Sequence, residues 1–469
     1  MSIVSATPLQ QPRGPLVEED SAEEEAEEEA EEAVVQVKRS SQKKEHKAWI
    51  ISVDMGYGHQ RAAYPLKDIA YERIITANND KIISLKDHRL WEQSREFYEF
   101  ISRLKQIPIL GKLSFDIYDQ FQKISPFFPF RDLSKPNFSV LRLKALIKRG
   151  LCQSIVDYTS KKDIPVITTH FIPAMAFNYN KRPVYCVVTD TDINRIWVPD
   201  KPDETTISYL APCRHVVERL KQYGIPEDKI IKTGFPLPKE NIGKNQEIIK
   251  KDLLYRLYNL DPNKIFFRKF QATIKEKINR NFSINKKYFN HILTLTYTIG
   301  GAGAQKGIGE KIILSLKEKI LENKIRLNIS VGTKIDLKIY FEKIVSDLGL
   351  KDKVKIIFAF DKRTYFETLN KELRATDILW TKPSEMSFYT ALGIPIIIAP
   401  PIGAHEHYNK EWLEHKGSGF IQKEPEYCSH WLFYWLEDGR LADSAFQGFV
   451  DAPVMGTYNI EKIVFNRQI

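Results

Sequence analysis

Two short stretches carry residue types that could do chemistry. "DMGYGH", Asp54 to His59, directly follows the apolar run "AWIIS", and "GGAGAQ", Gly300 to Gln305, follows "ILTLTYTI". Glycine tolerates positive φ and lets a ligand approach the backbone. A helix after such a turn presents free N–H groups and the positive end of its dipole to an anion. A histidine there, with a reference pKa of about 6.5, suits a general base. Facing each other across a cleft, one loop could bind the anionic part of a nucleotide and the other could hold the reacting group. Neither loop is a G-x-G-x-x-G fingerprint or a P-loop, and plain strand-to-helix connections also use such glycines.

Three further clusters deserve weighing. His170 ends "IPVITTH" and would face the same cleft. "TDTD", Thr189 to Asp192, matches the Asp-x-Asp that holds manganese in single-domain sugar transferases, an architecture that two nucleotide-fold halves argue against. His405 and His407 flank Glu406, but an i,i+2 spacing after a proline fits a loop better than a metal site. No metal and no cofactor is expected.

The elements that must position these residues alternate strand and helix in two series. "AWIISVD" reads as a strand and "QRAAYPLKDIAYERI" as a helix; "IPVITTH", "PVYCVVTD", "TISYLAP" and "KIIKTGFPL" continue the first series. "HILTLTYTI" opens the second, followed by "IGEKIILSLKEKIL" as a helix and by "IRLNISVG", "VKIIFAF", "DILWTKP" and "IPIIIAPP". The fold class is therefore α/β, with two facing doubly wound, Rossmann-like domains and a deep cleft between them. The expected boundaries are a first domain at 46–238, a linker or insert at 239–290, a second domain at 291–438 and a closing segment at 439–469 that crosses back to the first. Within the first domain, 89–150 mixes aromatic and basic residues and reads as core helices, a lid or a membrane-facing surface.

Bulk properties narrow the class. The chain has 469 residues, 43% apolar, with a mean hydropathy of −0.35. No apolar run nears the ~20 residues of a membrane span, and no secretory leader is visible. Four scattered cysteines without a CxxC fit a reducing cytoplasm. Residues 1–35 hold eleven acids and one arginine, so the net charge of +10 leaves +20 on the rest. Residues 1–45 read as a disordered acidic tail, and the basic body suits phosphorylated substrates or an anionic membrane face rather than nucleic acid.

The motifs also resemble a family. "DMGYGHQRAA" is similar to the "DTGGGHRASA" stretch of monogalactosyldiacylglycerol synthases, and "VVTDTDINRIWVPD" to their acceptor-domain "TD…W". "GGAGAQKG" resembles the "GGSQG" loop of the related peptidoglycan N-acetylglucosaminyltransferase. "TKPSEMSFYTALGIPIIIAPPIGAHEHYNKEWLEHKGSG" looks like the donor segment of both. The resemblance runs in order from about residue 48 to 420, with breaks at 89–150 and 239–290. It implies the GT-B fold and inverting transfer from a nucleotide sugar, usually UDP-linked, to a lipid acceptor at a membrane surface. It puts His59 on the base and Asp54 on the neighbouring aspartate. Gly56, Gly58, His170 and Asp190 fall on the acceptor side, and Gly300, Gly301 and Gly303 near the diphosphate. Thr381, Lys382 and Glu385 fall on the nucleotide side; His405, Glu406 and Asn409 fall on a "QExxN" that addresses sugar hydroxyls. The chain departs from the family in three places. Phe388 stands where a glutamate holds the ribose, with Glu385 as a substitute; "SEMS" replaces the small "GPGT" turn; and His405 replaces the glutamine. Two other readings stay open: a nucleotide-sugar 2-epimerase, and a non-catalytic nucleotide- or lipid-binding relative.

Overall fold

The computed structural model describes residues 46–104, 124–278, 291–300, 303 and 305–466, with backbone alone for 95–104. The acidic stretch 1–45, Gly301 and parts of both interruptions lie outside the described residues. Lys47–Ile469 is one compact unit, and it contains two six-stranded sheets.

Each sheet is wholly parallel. The first runs β2(Ala70–Thr76), β1(Ala48–Ser52), β3(Val166–Thr168), β4(Val184–Val187), β5(Ile207–Ala211), β6(Ile230–Lys232). The second runs β12(Gly419–Ile421), β11(Ile396–Ile398), β10(Ile378–Thr381), β7(Thr294–Thr298), β8(Arg326–Gly332), β9(Val354–Phe358). Strand order reverses between β1 and β3 in the first sheet and between β7 and β10 in the second. Those reversals open crevices at the carboxyl ends of the strands, where doubly wound sheets bind ligands.

Burial follows from the parallel arrangement. Every residue of β1 and of β7 is buried, as continuous apolar or Thr-rich runs covered on both faces must be. Trp49 and Ile51 enter the main core; Ala48 and Ile50 face the other way, onto Leu66, Ile167, Val187 and Leu210. That second layer is closed by Ile460 and Val464 of the last helix, Gly456–Asn466, whose Thr457 and Asn459 donate to the carbonyls of Leu237 and Thr233. All four cysteines are buried free thiols.

One expected element is different. Gln60 to Ile74 is not a single helix: helix Gly58–Ala63 passes into a 3-10 turn, Tyr64–Ile69, and then into β2. Pro65 has no N–H to continue an α-ladder, and the β-branched run Ile74-Ile75-Thr76 suits a strand. In the segment expected to be aromatic and basic, Leu85–Leu104 and Phe138–Lys148 are helices. The latter buries Val140, Leu143, Leu146 and Ile147 but leaves Phe138 and Leu141 exposed. In 239–290, helix Glu247–Leu260 is locked down by wholly buried Arg256, which donates to the carbonyls of Thr376 and Leu392. Among the described residues no helix is long and apolar enough to cross a membrane.

Candidate active site

Both strand-order reversals open into one cleft pocket of about 450 Å³. The first sheet contributes Met55 to His59 after β1, His170 to Ile172 after β3, and Thr189, Asp190 and Asp192 to Asn194 after β4. The second contributes Thr298 and Gly300 after β7, and Thr381, Lys382, Ser384 to Met386 and His405 from the β10 side.

His59 sits at the start of the helix after β1, with Nδ1 2.7 Å from the carbonyl of Thr169. A carbonyl can only accept, so Nδ1 carries the hydrogen and Nε2 keeps its lone pair. Burial lowers the pKa of His59, against the opposing charge of Asp190. A neutral imidazole with one nitrogen anchored and the other a free acceptor is what a general base requires.

The other expected base is elsewhere. Asp54 is absent from the pocket lining; its carboxylate pairs with Lys362 and accepts from Asn79 Nδ2 at 3.0 Å. Gly56, at φ +86°, turns the chain between Asp54 and His59. Two carboxylates raise the pKa of His59 against burial, Asp190 more strongly and Glu385 from the second half less so. His170 lines the pocket and meets His59 edge-on at 4.5 Å, but its Nδ1 accepts from the N–H of Ile172 and caps helix Phe171–Tyr179. Burial, then the neighbouring His59, holds its pKa well below the usual value.

This pair sets a sign for acid stability. Both imidazoles titrate lower in the folded chain than in the unfolded one, so below about pH 6.5 the unfolded chain binds more protons. Their stabilisation is complete above that pH and is lost as pH falls toward the folded-state values. Unfolding free energies from denaturant titrations at pH 7.5 to 5 should fall, by up to about 1.4 kcal/mol per pH unit for each imidazole. A flat free energy, or one that rises on acidification, would contradict two imidazoles held neutral by the fold.

On the second sheet's side, Gly300 has φ +74°, a conformation that favours glycine, and a Cβ there would press on the Lys382 side chain at 3.2 Å. Gly303 abuts Leu337, and Thr381 is buried, accepting from Thr298 at 2.6 Å. The loop precedes helix Lys306–Leu321, which has no acidic residue in its first turn.

Several expected ligand contacts are already engaged within the protein. Lys382 is not unpaired: it meets Glu406. Glu406 in turn accepts from the N–H groups of Ile402 and Gly403, and so caps helix Ala404–His415. Asn409 is wholly buried and makes four bonds, accepting from the N–H and hydroxyl of Thr191 and donating to Asp190 and the carbonyl of Pro383. It therefore joins the two halves and has no group left for a sugar hydroxyl. Glu385 Oε1 accepts from Arg61 Nε at 3.0 Å, and Oε2 would lie 3.1 Å from a Cβ on Gly58. Phe388 stacks on Phe235 at 4.7 Å within the core. Asp192 is held by Arg219 and His215 rather than turned with Asp190 toward a shared ion. His405 remains exposed at the pocket edge.

Comparisons with known proteins give distant relatives. A processive diacylglycerol beta-glucosyltransferase of Bacillus subtilis is 21% identical over 388 residues, 80% of this chain and 83% of that protein. The Bacillus pumilus protein of the same name is 22% identical over 410 residues, 85% and 88% of the two chains. Among solved structures, S. aureus MnaA with UDP overlays with a TM-score of 0.43 at 14% identity, covering 70% of this chain and 79% of that one. No model of a known protein family matches.

Proposed function

We propose that this chain, a glycosyltransferase of the GT-B fold, moves a sugar from a UDP-linked donor to the hydroxyl of a diacylglycerol-like lipid, with inversion at the anomeric carbon. The observation that carries the reading is the single pocket at the meeting of two strand-order reversals, one bearing a histidine base and the other a glycine turn. The names of the Bacillus relatives support the lipid acceptor. So does the first sheet's side of the pocket, where Phe171, Ile172, Ile193, Ile196 and Trp197 form an apolar wall.

The steps follow from the residues. His59 Nε2 withdraws the acceptor hydroxyl's proton as that oxygen attacks the anomeric carbon. Asp190 stabilises the imidazolium that forms. As the bond to the donor breaks, negative charge grows on the diphosphate. Backbone N–H groups at the Gly300 turn and the N-terminus of helix Lys306–Leu321 oppose that charge. His405 takes the remaining polar edge and contacts the sugar. The lipid acceptor sets the place of work at a membrane surface.

Thermal unfolding with a panel of nucleotides and UDP sugars tests the donor half. A ligand at 100 times its Kd adds about 2.7 kcal/mol of stability, so UDP should raise Tm and AMP should not. Incubation with UDP-glucose and dioctanoylglycerol should then yield glucolipid and UDP. Epimerised sugar nucleotide formed without acceptor would overturn the transferase reading in favour of a 2-epimerase.

A further inference from the structure

Segment 124–130 is apolar at both ends and fixed in the middle. Ile124 lines the cleft pocket. Phe128 and Phe130 are 68% and 61% exposed, with ring centroids 5.2 Å apart. Between them the backbone is held by buried groups: Arg219 Nη2 donates to the carbonyl of Ser125 at 2.8 Å, and Gln222 Nε2 to that of Phe127 at 3.3 Å. The ring of Phe127 stacks on His215 at 3.8 Å.

These anchors converge on Asp192. Its Oδ1 accepts from Arg219 Nε at 2.8 Å; its Oδ2 accepts from Arg219 Nη2 and meets His215 Nε2, each at 2.8 Å. Asp192 itself lines the pocket, and Arg219 is completely buried. One carboxylate thus ties the floor of the cleft to the segment that leads out of it. Tyr408 of the second half adds a bond from its hydroxyl to the carbonyl of Ile124.

We propose that residues 124–130, held by the Asp192–Arg219–His215 brace, seat an acyl chain of the acceptor. The inference rests on the lipid-acceptor reading above and deepens it. The occupant follows from continuity. Ile124 lines the pocket with Ile193, Ile196 and Trp197, and three residues on the ring of Phe127 meets those of Phe128 and Phe130 edge-on at 4.9 and 5.4 Å. Four residues of backbone reach at most roughly 13 Å, the scale of a fatty chain rather than of a sugar ring. A rigid apolar track outside the cleft has no use for a wholly polar acceptor.

The test measures equilibrium binding of dihexanoylglycerol and dioctanoylglycerol to the full chain in the presence of UDP. Each buried CH2 is worth about fourfold in affinity, so the longer lipid should bind much more tightly. Because both phenylalanines are exposed, Phe128→Ala/Phe130→Ala should fold normally and lose most of that gain, about tenfold or more. If the double variant keeps the gain, the seat is wrong while the lipid acceptor stands. If wild type binds UDP but neither glyceride, the lipid reading falls and takes the seat with it. If the variant loses only co-sedimentation with phosphatidylglycerol vesicles, the phenylalanines are a membrane contact and the seat is again refuted. For the brace, His215→Ala, at a half-exposed residue outside the pocket lining that holds both Asp192 and the ring of Phe127, should raise the acceptor KM with kcat and donor KM unchanged. A fall in kcat at constant acceptor KM would overturn its positioning role.

Discussion

His59→Ala should lower kcat by about 10²–10⁴-fold, the usual contribution of a positioned base, while UDP still raises Tm as it does in wild type. The proposed donor groups lie on the second sheet, whereas the strong bond of His59 is to the carbonyl of Thr169 in the first. Loss of the imidazole therefore removes chemistry rather than donor binding. The pH profile gives an independent check. The active form is neutral, and burial lowers the pKa, so the acid limb of kcat/KM should lie below about 6.5 and activity should hold through neutral pH. Asp190 raises that pKa, so Asp190→Asn should move the limb further down. Asp54→Asn is the contrasting control. Its carboxylate faces Lys362 and Asn79, and kcat should change only a few-fold. If Asp54→Asn were as damaging to kcat as His59→Ala, with the fold intact, the base would have been misassigned.

Why His59 was legible and its partner was not has a physical explanation. A strand, a glycine turn and a helix are consecutive in the chain, so local pattern reveals them together. The same holds for Gly300, and the two-sheet architecture follows from counting such units. Asp190, by contrast, reaches His59 because β4 lies beside β3, which lies beside β1. That adjacency is a property of sheet order, and only the structure supplies it. Glu406 and Asn409 misled for a related reason. A Glu and an Asn three residues apart at a helix start look like ligand groups, yet the first caps its own helix and the second bonds to Thr191 in the other half. Helix prediction across Gln60 to Ile74 failed where apolar residues recur at helical spacing through Pro65, which breaks the ladder without interrupting the pattern.

Arg61 and Glu385 offer a large stability effect where the two halves meet. Arg61 is 3% exposed and Glu385 11% by side chain, and they pair across the two halves. The guanidinium also lies 4.9 Å from the ring centre of Phe366 and 5.7 Å from that of Tyr365. Removing one member of a buried pair leaves the other charge uncompensated, at a cost of about 3–5 kcal/mol; the aromatic contacts add about 0.5–2 kcal/mol for the cation. Arg61→Ala and Glu385→Ala should each lower the denaturation free energy by that order. Arg61→Met/Glu385→Leu should recover most of the loss, since an apolar pair of similar volume removes both desolvation costs. The same variant decides what Glu385 does for the donor. Its sequence position suggested a ribose ligand, but its Oε1 is engaged by Arg61 and Oε2 lies over Gly58. As a brace alone, Glu385 can be replaced with UDP affinity held within a few-fold once stability is restored. A double variant that regains wild-type stability yet no longer binds UDP would return Glu385 to the ribose, with Arg61 as the residue that orients it.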